Sequence, residues 1–549
     1  MPASGFDMFA SLLMALSAPP GETLPITGLK PAVHVPGLCT YHAPVATRSA
    51  DCQRFCDQAA GYYYSYVWME AARSYEQAIQ HDPDCASAWL GLSKSLDKWG
   101  RSKTPSAEPF LALAGAVAKG KLPEYYDQAP KDFALHQAKR LLPKASHRER
   151  LLITAKLQER GMWPDVKPDE RKKKATQTLD ELLALYDDDE EGWFARAQIA
   201  EGTNGPAPFY KALLKINPYH PGANHEFVHF YEQVRRPALG WPYAEKYMES
   251  SPLIPHAFHM QAHLAMRIGK WTNTTDWSAR AYQLEKEYHR VQGVVARDDH
   301  QFSHHMESLT KALIHDGRFA EADAVRKEAG WYGYRFQPEW FRMAIIRQDW
   351  DAATRIAESI RKKDKTSGAY HMAIVSLERG ETDRAKAELD VMQQAEQSRR
   401  GGKSAELRLG EIQGRIACRT GDGEAGVKLL RRVVDKTKDD FGHHAWGNGA
   451  VHMETWGRSA LEAGLAGEAE EAFQEALAHD AGSVIGALGL WAVCDRLGRT
   501  DEAARYLKVA KRCWAKADPV DFDRVRVELR RRADRLPTAT ANRGNGTTE

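Results

Sequence analysis

Long hydrophobic runs are largely missing from this 549-residue chain. The single run, MFASLLMALSA at residues 8–18, is too short to span a bilayer and is followed by Pro19 and Pro20, so no membrane span is expected. It has the length of a secretory core segment, but the residues before it include Asp7 and no Lys or Arg, where a signal peptide carries positive charge. Cytoplasmic and exported locations therefore both stay open, with the missing positive charge favouring the first. An excess of charge of one sign is missing too. Lys plus Arg is 76 against 74 for Asp plus Glu, a net +2, which supplies no field to gather nucleic acid or an anionic membrane, and nucleic acid is not an expected partner.

Cysteine is scarce: seven residues, at 39, 52, 56, 85, 418, 494 and 513. An odd number in a chain this long argues against a complete disulfide framework. Cys52 and Cys56 stand one helical turn apart. In an exported protein a bridge among the four N-terminal thiols is open to them, and in a reducing compartment they serve as small buried hydrophobes. No phosphate-binding glycine loop, nucleophile elbow or zinc-ribbon spacing occurs, which removes the usual signatures of nucleotide, serine-hydrolase and zinc-ribbon chemistry.

What the chain does have is repetition. It is too long for one ordinary core, so it is several domains or an array that adds core unit by unit. A small residue, a turn and an alanine-rich amphipathic run recur in DGRFAEADAV, RQDWDAATRI, RGETDRAKAEL, TGDGEAGVKLL, AGLAGEAEEAF and LGRTDEAARYL. Counted from Gly317 through Gln348, Gly380, Gly421, Gly464 and Gly498, the intervals are 31, 32, 41, 43 and 34 residues, a repeat with insertions. Ala469, Phe473 and Ala476 recur 34 residues on as Ala503, Leu507 and Ala510. Small residues there let two helices approach while the larger one fills the gap. EAARSYEQAIQHDP repeats the pattern with Ala71, Tyr75, Ala78 and Pro83, followed by Trp89.

In these segments the chain resembles the tetratricopeptide repeat family, over about residues 50–100 and 186–515. The resemblance implies an all-α fold, a right-handed superhelical solenoid of helical hairpins with insertions. It speaks to architecture and leaves activity open. The expected organisation is an extended segment over 1–45, a first unit over 46–100, and an irregular connection with a degenerate helical pair over 101–185. Histidine-rich repeats then occupy 186–330, further repeats 331–515, a polar capping helix 516–535 and a disordered tail 536–549.

The segment HEFVH, His225 to His229, matches the H-E-x-x-H pattern in which two histidines hold zinc and the glutamate acts as base. Pro218 and Pro252 are 34 apart and both fit the repeat-closing position, which makes His225 equivalent to His259 and His229 to His263. Each pair is i,i+4, so its rings share one helix face. His300 and His304 continue the pattern on the next first helix. In the family's register Asn224, Phe227, Val228 and Tyr231, then Phe258, Gln261, Ala262 and Ala265, take core positions. The resemblance then implies that His225, His229, Glu232, His259, His263, His304 and Glu307 face a concave groove that holds partners. His256, His289 and His305 fall outside that register and are read as structural.

Two functions follow. One is an interaction scaffold whose groove binds a protein or peptide through these residues. The other is a metal-binding protein or metalloenzyme, with His225, His229, His259 and His263 as ligands and His300 or His304 completing the set, for Zn, Cu, Ni or Fe. An HExxH hydrolase with Glu226 as general base is the weakest form of the second, since a helical array offers no edge strand to hold a peptide. The cluster of His443, His444 and His452 with Trp446 and Trp456 surrounds a Gly-Asn-Gly that reads as a loop before a helix.

Overall fold

The computed structural model describes residues 23–100, 129–398, 403–440 and 448–538. The signal-like run at 8–18, most of the irregular connection, His443 and His444, and the tail from 539 lie outside the described residues. Among the described residues every regular element is a helix and there is no strand.

Helix starts follow the side chains. Ser49, Asp189, Asp349, Asp364, Asp422 and Ser483 each accept from a backbone N–H of the first turn they precede, and Ser146 with Glu149 forms a reciprocal capping box. Each such cap is worth about 1 kcal/mol. Helix stops follow the backbone. Gly317, Gln348, Gly380, Gly421, Gly464 and Gly498, the residues that mark the repeat in the sequence, all have positive φ, between 56° and 99°. A left-handed residue after the last helical turn ends a helix and reverses the chain. Gln348 does this at φ 56° without being glycine, and Arg235 does so at 60°.

Helices adjacent in sequence pack as pairs, such as Lys403–Arg419 with Gly423–Thr437 and Val484–Arg496 with Thr500–Cys513. Phe473 shows how tightly. A Cβ placed on Gly457 or Gly489 would stand 2.5 or 2.4 Å from its ring, so both helices carry glycine where the ring enters. Tyr75 stands against Gly91 in the same way, at 2.4 Å.

The chain forms two compact units. The first comprises Met1–Val234, Leu239–Ala257 and Gln283–Asp299. Its core joins Cys52, Phe55, Ile79, Trp89, Leu92 and Phe133, with a second cluster of Tyr41, Tyr64, Phe194, Tyr210 and Phe227. An irregular N-terminal stretch is fastened across it. The Ile26 and Thr27 N–H groups donate to the Glu76 carboxylate at 2.5 and 2.7 Å, and the Thr40 N–H donates to the Ser250 carbonyl at 2.8 Å.

The second unit comprises Arg235–Ala238, Phe258–Tyr282 and His300–Glu549. Its Pro519–Ala533 helix packs on Val451–Glu462 and Val484–Arg496 and buries Arg532 among Glu378, Glu462 and Glu528.

Candidate metal centres

The first unit brings three imidazoles together. His225 and His229 lie on the Pro221–Gln233 helix and His256 in the first turn of Pro255–Arg267. His225 Nε2 is 3.1 Å from His229 Nε2 and 3.1 Å from His256 Nε2. His225 Nδ1 lies 2.7 Å from the Tyr64 carbonyl oxygen. A carbonyl only accepts, so Nδ1 carries the proton and the Nε2 lone pair faces the other two rings. Behind His229, Glu232 Oε2 stands 3.6 Å from Nδ1. Carbonyl and carboxylate partners of this kind orient metal-ligating histidines.

Tyr66 covers the trio. Its ring centroid is 4.4 Å from that of His225, 5.7 Å from His229 in a stacked pose and 5.8 Å from His256. It is held at φ 59°, unfavourable for a bulky residue and found where the surroundings over-determine the backbone. Its hydroxyl donates to Glu226 Oε1 at 2.9 Å. Glu226 also receives Gln198 Nε2 at 3.4 Å and is not among the groups converging on the trio's centre.

A second trio forms in the second unit. His259 and His263 lie on Pro255–Arg267 and His304 on Phe302–His315. His259 Nε2 and His304 Nε2 are 3.0 Å apart, and the His263 ring is 4.3 Å from His259 and 5.9 Å from His304. The His305 ring lies 4.2 Å from His259. Burial, reinforced by the positive fields of His263, Lys311 and His300, holds His304 down to about 4, so its ring is neutral near pH 7.

The predicted ligands are thus divided. His225 and His229 meet His256, which sequence reasoning set aside, and His259 and His263 meet His304. His300 is exposed and outside both trios, and Glu307 is half-buried and also outside them. The signal for His256 was its place in the first turn of a helix, the place His304 also holds. His225, His259 and Glu232 are 0, 1 and 5 % exposed, so none presents an open face to a partner. Elsewhere, Cys52, Cys56 and Cys85 gather as free thiols within the apolar core of the first unit. His452 Nδ1 pairs with Glu411 Oε2 at 3.2 Å.

No family model and no curated protein matches the chain. Among solved structures it is similar to yeast Tom70, at 13 % identity and a TM-score of 0.24, covering 90 % of this chain and 89 % of that one. It is also similar to human IFIT1, solved as a dimer with m7Gppp-AAAA, at 14 % identity and a TM-score of 0.26, covering 86 % and 92 %. Likeness at that level says nothing about ligands. The class that fold and site define is an all-α protein of paired helices with histidine-rich clusters able to take a metal ion.

Proposed function

We propose that this is a metal-binding protein, with His225, His229 and His256 holding one transition-metal ion and His259, His263 and His304 a second. The observation that carries the reading is the approach of His229 Nε2 and His256 Nε2 to His225 Nε2, each at 3.1 Å, with the tautomer of His225 fixed by the Tyr64 carbonyl. At metal–nitrogen distances of about 2.0–2.1 Å, neighbouring ligand nitrogens stand about 3 Å apart. Imidazole-only sets suit Zn, Cu, Ni or Fe. Three protein ligands leave a coordination position for water or substrate, as catalytic sites do.

The partner-scaffold reading has less support, because the buried His225, His259 and Glu232 are not offered to a groove. The left-handed turns and the glycine slots for Phe473 support reading the hairpins as tetratricopeptide-like. Hydrolysis through Glu226 has only the HExxH pattern and the proximity of its Tyr66 contact behind it.

The test is elemental analysis of protein purified without a histidine tag, beside a His229→Ala/His263→Ala double variant. Zn, Cu, Ni or Fe near one equivalent per trio, lost in the variant, is expected. No metal in the wild type and none taken up on reconstitution would overturn the proposal.

A further inference from the structure

Three thiols that take no part in the imidazole sites meet in the first unit. Cys52 and Cys56 are i,i+4 on the Ala50–Tyr64 helix, so both sulfurs lie on one face. Cys85, at the N-cap of the Ala86–Trp99 helix, brings a third sulfur to them. The three Sγ atoms all lie within 4.8 Å of one another, and the residues are 0, 1 and 0 % exposed. None is in a disulfide.

A buried cysteine is ordinarily a small hydrophobe, and the surrounding core of Phe55, Ala59, Ala78, Ile79, Ala88 and Trp89 could hold three of them without their sulfurs converging. Three sulfurs in one plane around an ion, at metal–sulfur distances of about 2.3 Å, stand about 4 Å apart. The observed limit of 4.8 Å exceeds that by under about 1 Å, so the preformed trio closes on an ion by small side-chain rotations. Among the described residues no fourth His, Cys, Asp or Glu joins the group. A structural zinc site closes at four ligands, whereas Cu(I), one of the soft ions that thiolates select, is satisfied by fewer.

A bound metal deprotonates a thiol outright, so the site does not depend on thiolates being present beforehand. The anionic complex that results sits where the fold offers partial positive charge. Cys52 is the third residue of its helix and Cys85 the N-cap of its own, and a helix N-terminus favours thiolate. The site also has a way in. Cys56 forms part of the wall of a cavity of about 560 Å3, together with Tyr75, Leu90 and Gly91. The exposed His42 belongs to the same wall, so the cavity opens to solvent and gives an ion a route into an otherwise apolar core.

We infer that Cys52, Cys56 and Cys85 form a site for one soft monovalent ion of the Cu(I) class, separate from the imidazole trios. Binding is coordination without redox change: the sulfurs donate lone pairs to the ion, the thiol protons pass to solvent, and copper stays Cu(I) throughout. The ion ties the start of the Ala50–Tyr64 helix to the start of the Ala86–Trp99 helix.

The test uses untagged full-length protein, reduced, stripped with chelator and kept free of oxygen. Cu(I) is added as its acetonitrile complex against the colorimetric competitor bicinchoninate. The His229→Ala/His263→Ala variant is titrated beside the wild type, so that copper on imidazole is separated from copper on sulfur. That variant should still take one equivalent from the competitor, and X-ray absorption at the copper edge should show sulfur neighbours only. Adding Cys52→Ala or Cys85→Ala to it should abolish the equivalent while circular dichroism shows the helices retained. The sulfur shell is read with all three cysteines in place, so a cysteine variant that fails to fold does not remove the test. Failure of the histidine variant to compete for Cu(I), a copper shell of nitrogen alone, or an undiminished equivalent in both cysteine variants would each overturn the inference. The imidazole reading stands or falls separately, on the metal lost with His229 and His263.

Discussion

His229→Ala separates metal binding from folding. The His229 side chain is 38 % exposed, so its truncation opens no cavity and should cost the metal-free protein under about 0.5 kcal/mol. It nevertheless removes one of the two nitrogens that stand 3.1 Å from His225 Nε2. A ligand that binds only the folded state at 100 times its Kd stabilises by about 2.7 kcal/mol. For a unit of this size that raises Tm by about 5–10 °C. The assay is calorimetry of chelator-stripped protein with and without Zn2+, with bound metal counted after gel filtration. The metal-free wild type and variant should melt within about 2 °C of one another. Added Zn2+ should raise the transition of the first unit in the wild type only, and the variant should carry one equivalent less. A variant that keeps the full shift and the full equivalent would refute the reasoning, because two imidazoles cannot replace three at equal affinity.

Glu226→Gln should leave metal content unchanged, since Glu226 engages Tyr66 and Gln198 and not the trio's centre, and elemental analysis checks it. His220 caps the Pro221–Gln233 helix by accepting from the Ala223 N–H at 3.1 Å, and burial holds it down to about 4 against a usual 6.5. Between those values the unfolded chain binds more protons, so stability is fully present above about pH 6.5 and is lost as pH falls toward 4. The loss is about 3 kcal/mol, and denaturation of metal-free His220→Asn, which keeps a capping side chain, should show it removed. Gly489→Ala would set a Cβ 2.4 Å from the Phe473 ring and should cost about 1–3 kcal/mol despite the better helix propensity of alanine. Adding Phe473→Leu should recover part of that loss in urea unfolding, and no recovery would show the slot is not the cause.

The divided histidines show where local pattern stops informing. An i,i+4 pair is a property of one helix, so His225 with His229 and His259 with His263 could be read from spacing alone. The third ring of each trio comes from another helix, and its arrival depends on how helices pack, which no repeat interval specifies for His256. Burial was hidden in the same way. The family register put His225 and His259 at groove positions, whereas both are covered in the folded chain, His225 by Tyr66, Tyr247 and His256.

By itself the sequence determined the local features: the helices of the repeat segments, their side-chain caps, and the hairpin turns at the glycines Gly317, Gly380, Gly421, Gly464 and Gly498. These follow from 3.6-residue periodicity, capping chemistry and backbone sterics, all of which act within a few residues. Only the tertiary structure decided that six histidines form two trios, that Gln348 and Arg235 take left-handed turns without glycine, and that Cys85 meets Cys52 and Cys56. Those outcomes depend on contacts between residues distant in sequence, where packing of whole helices outweighs the preference of any single residue.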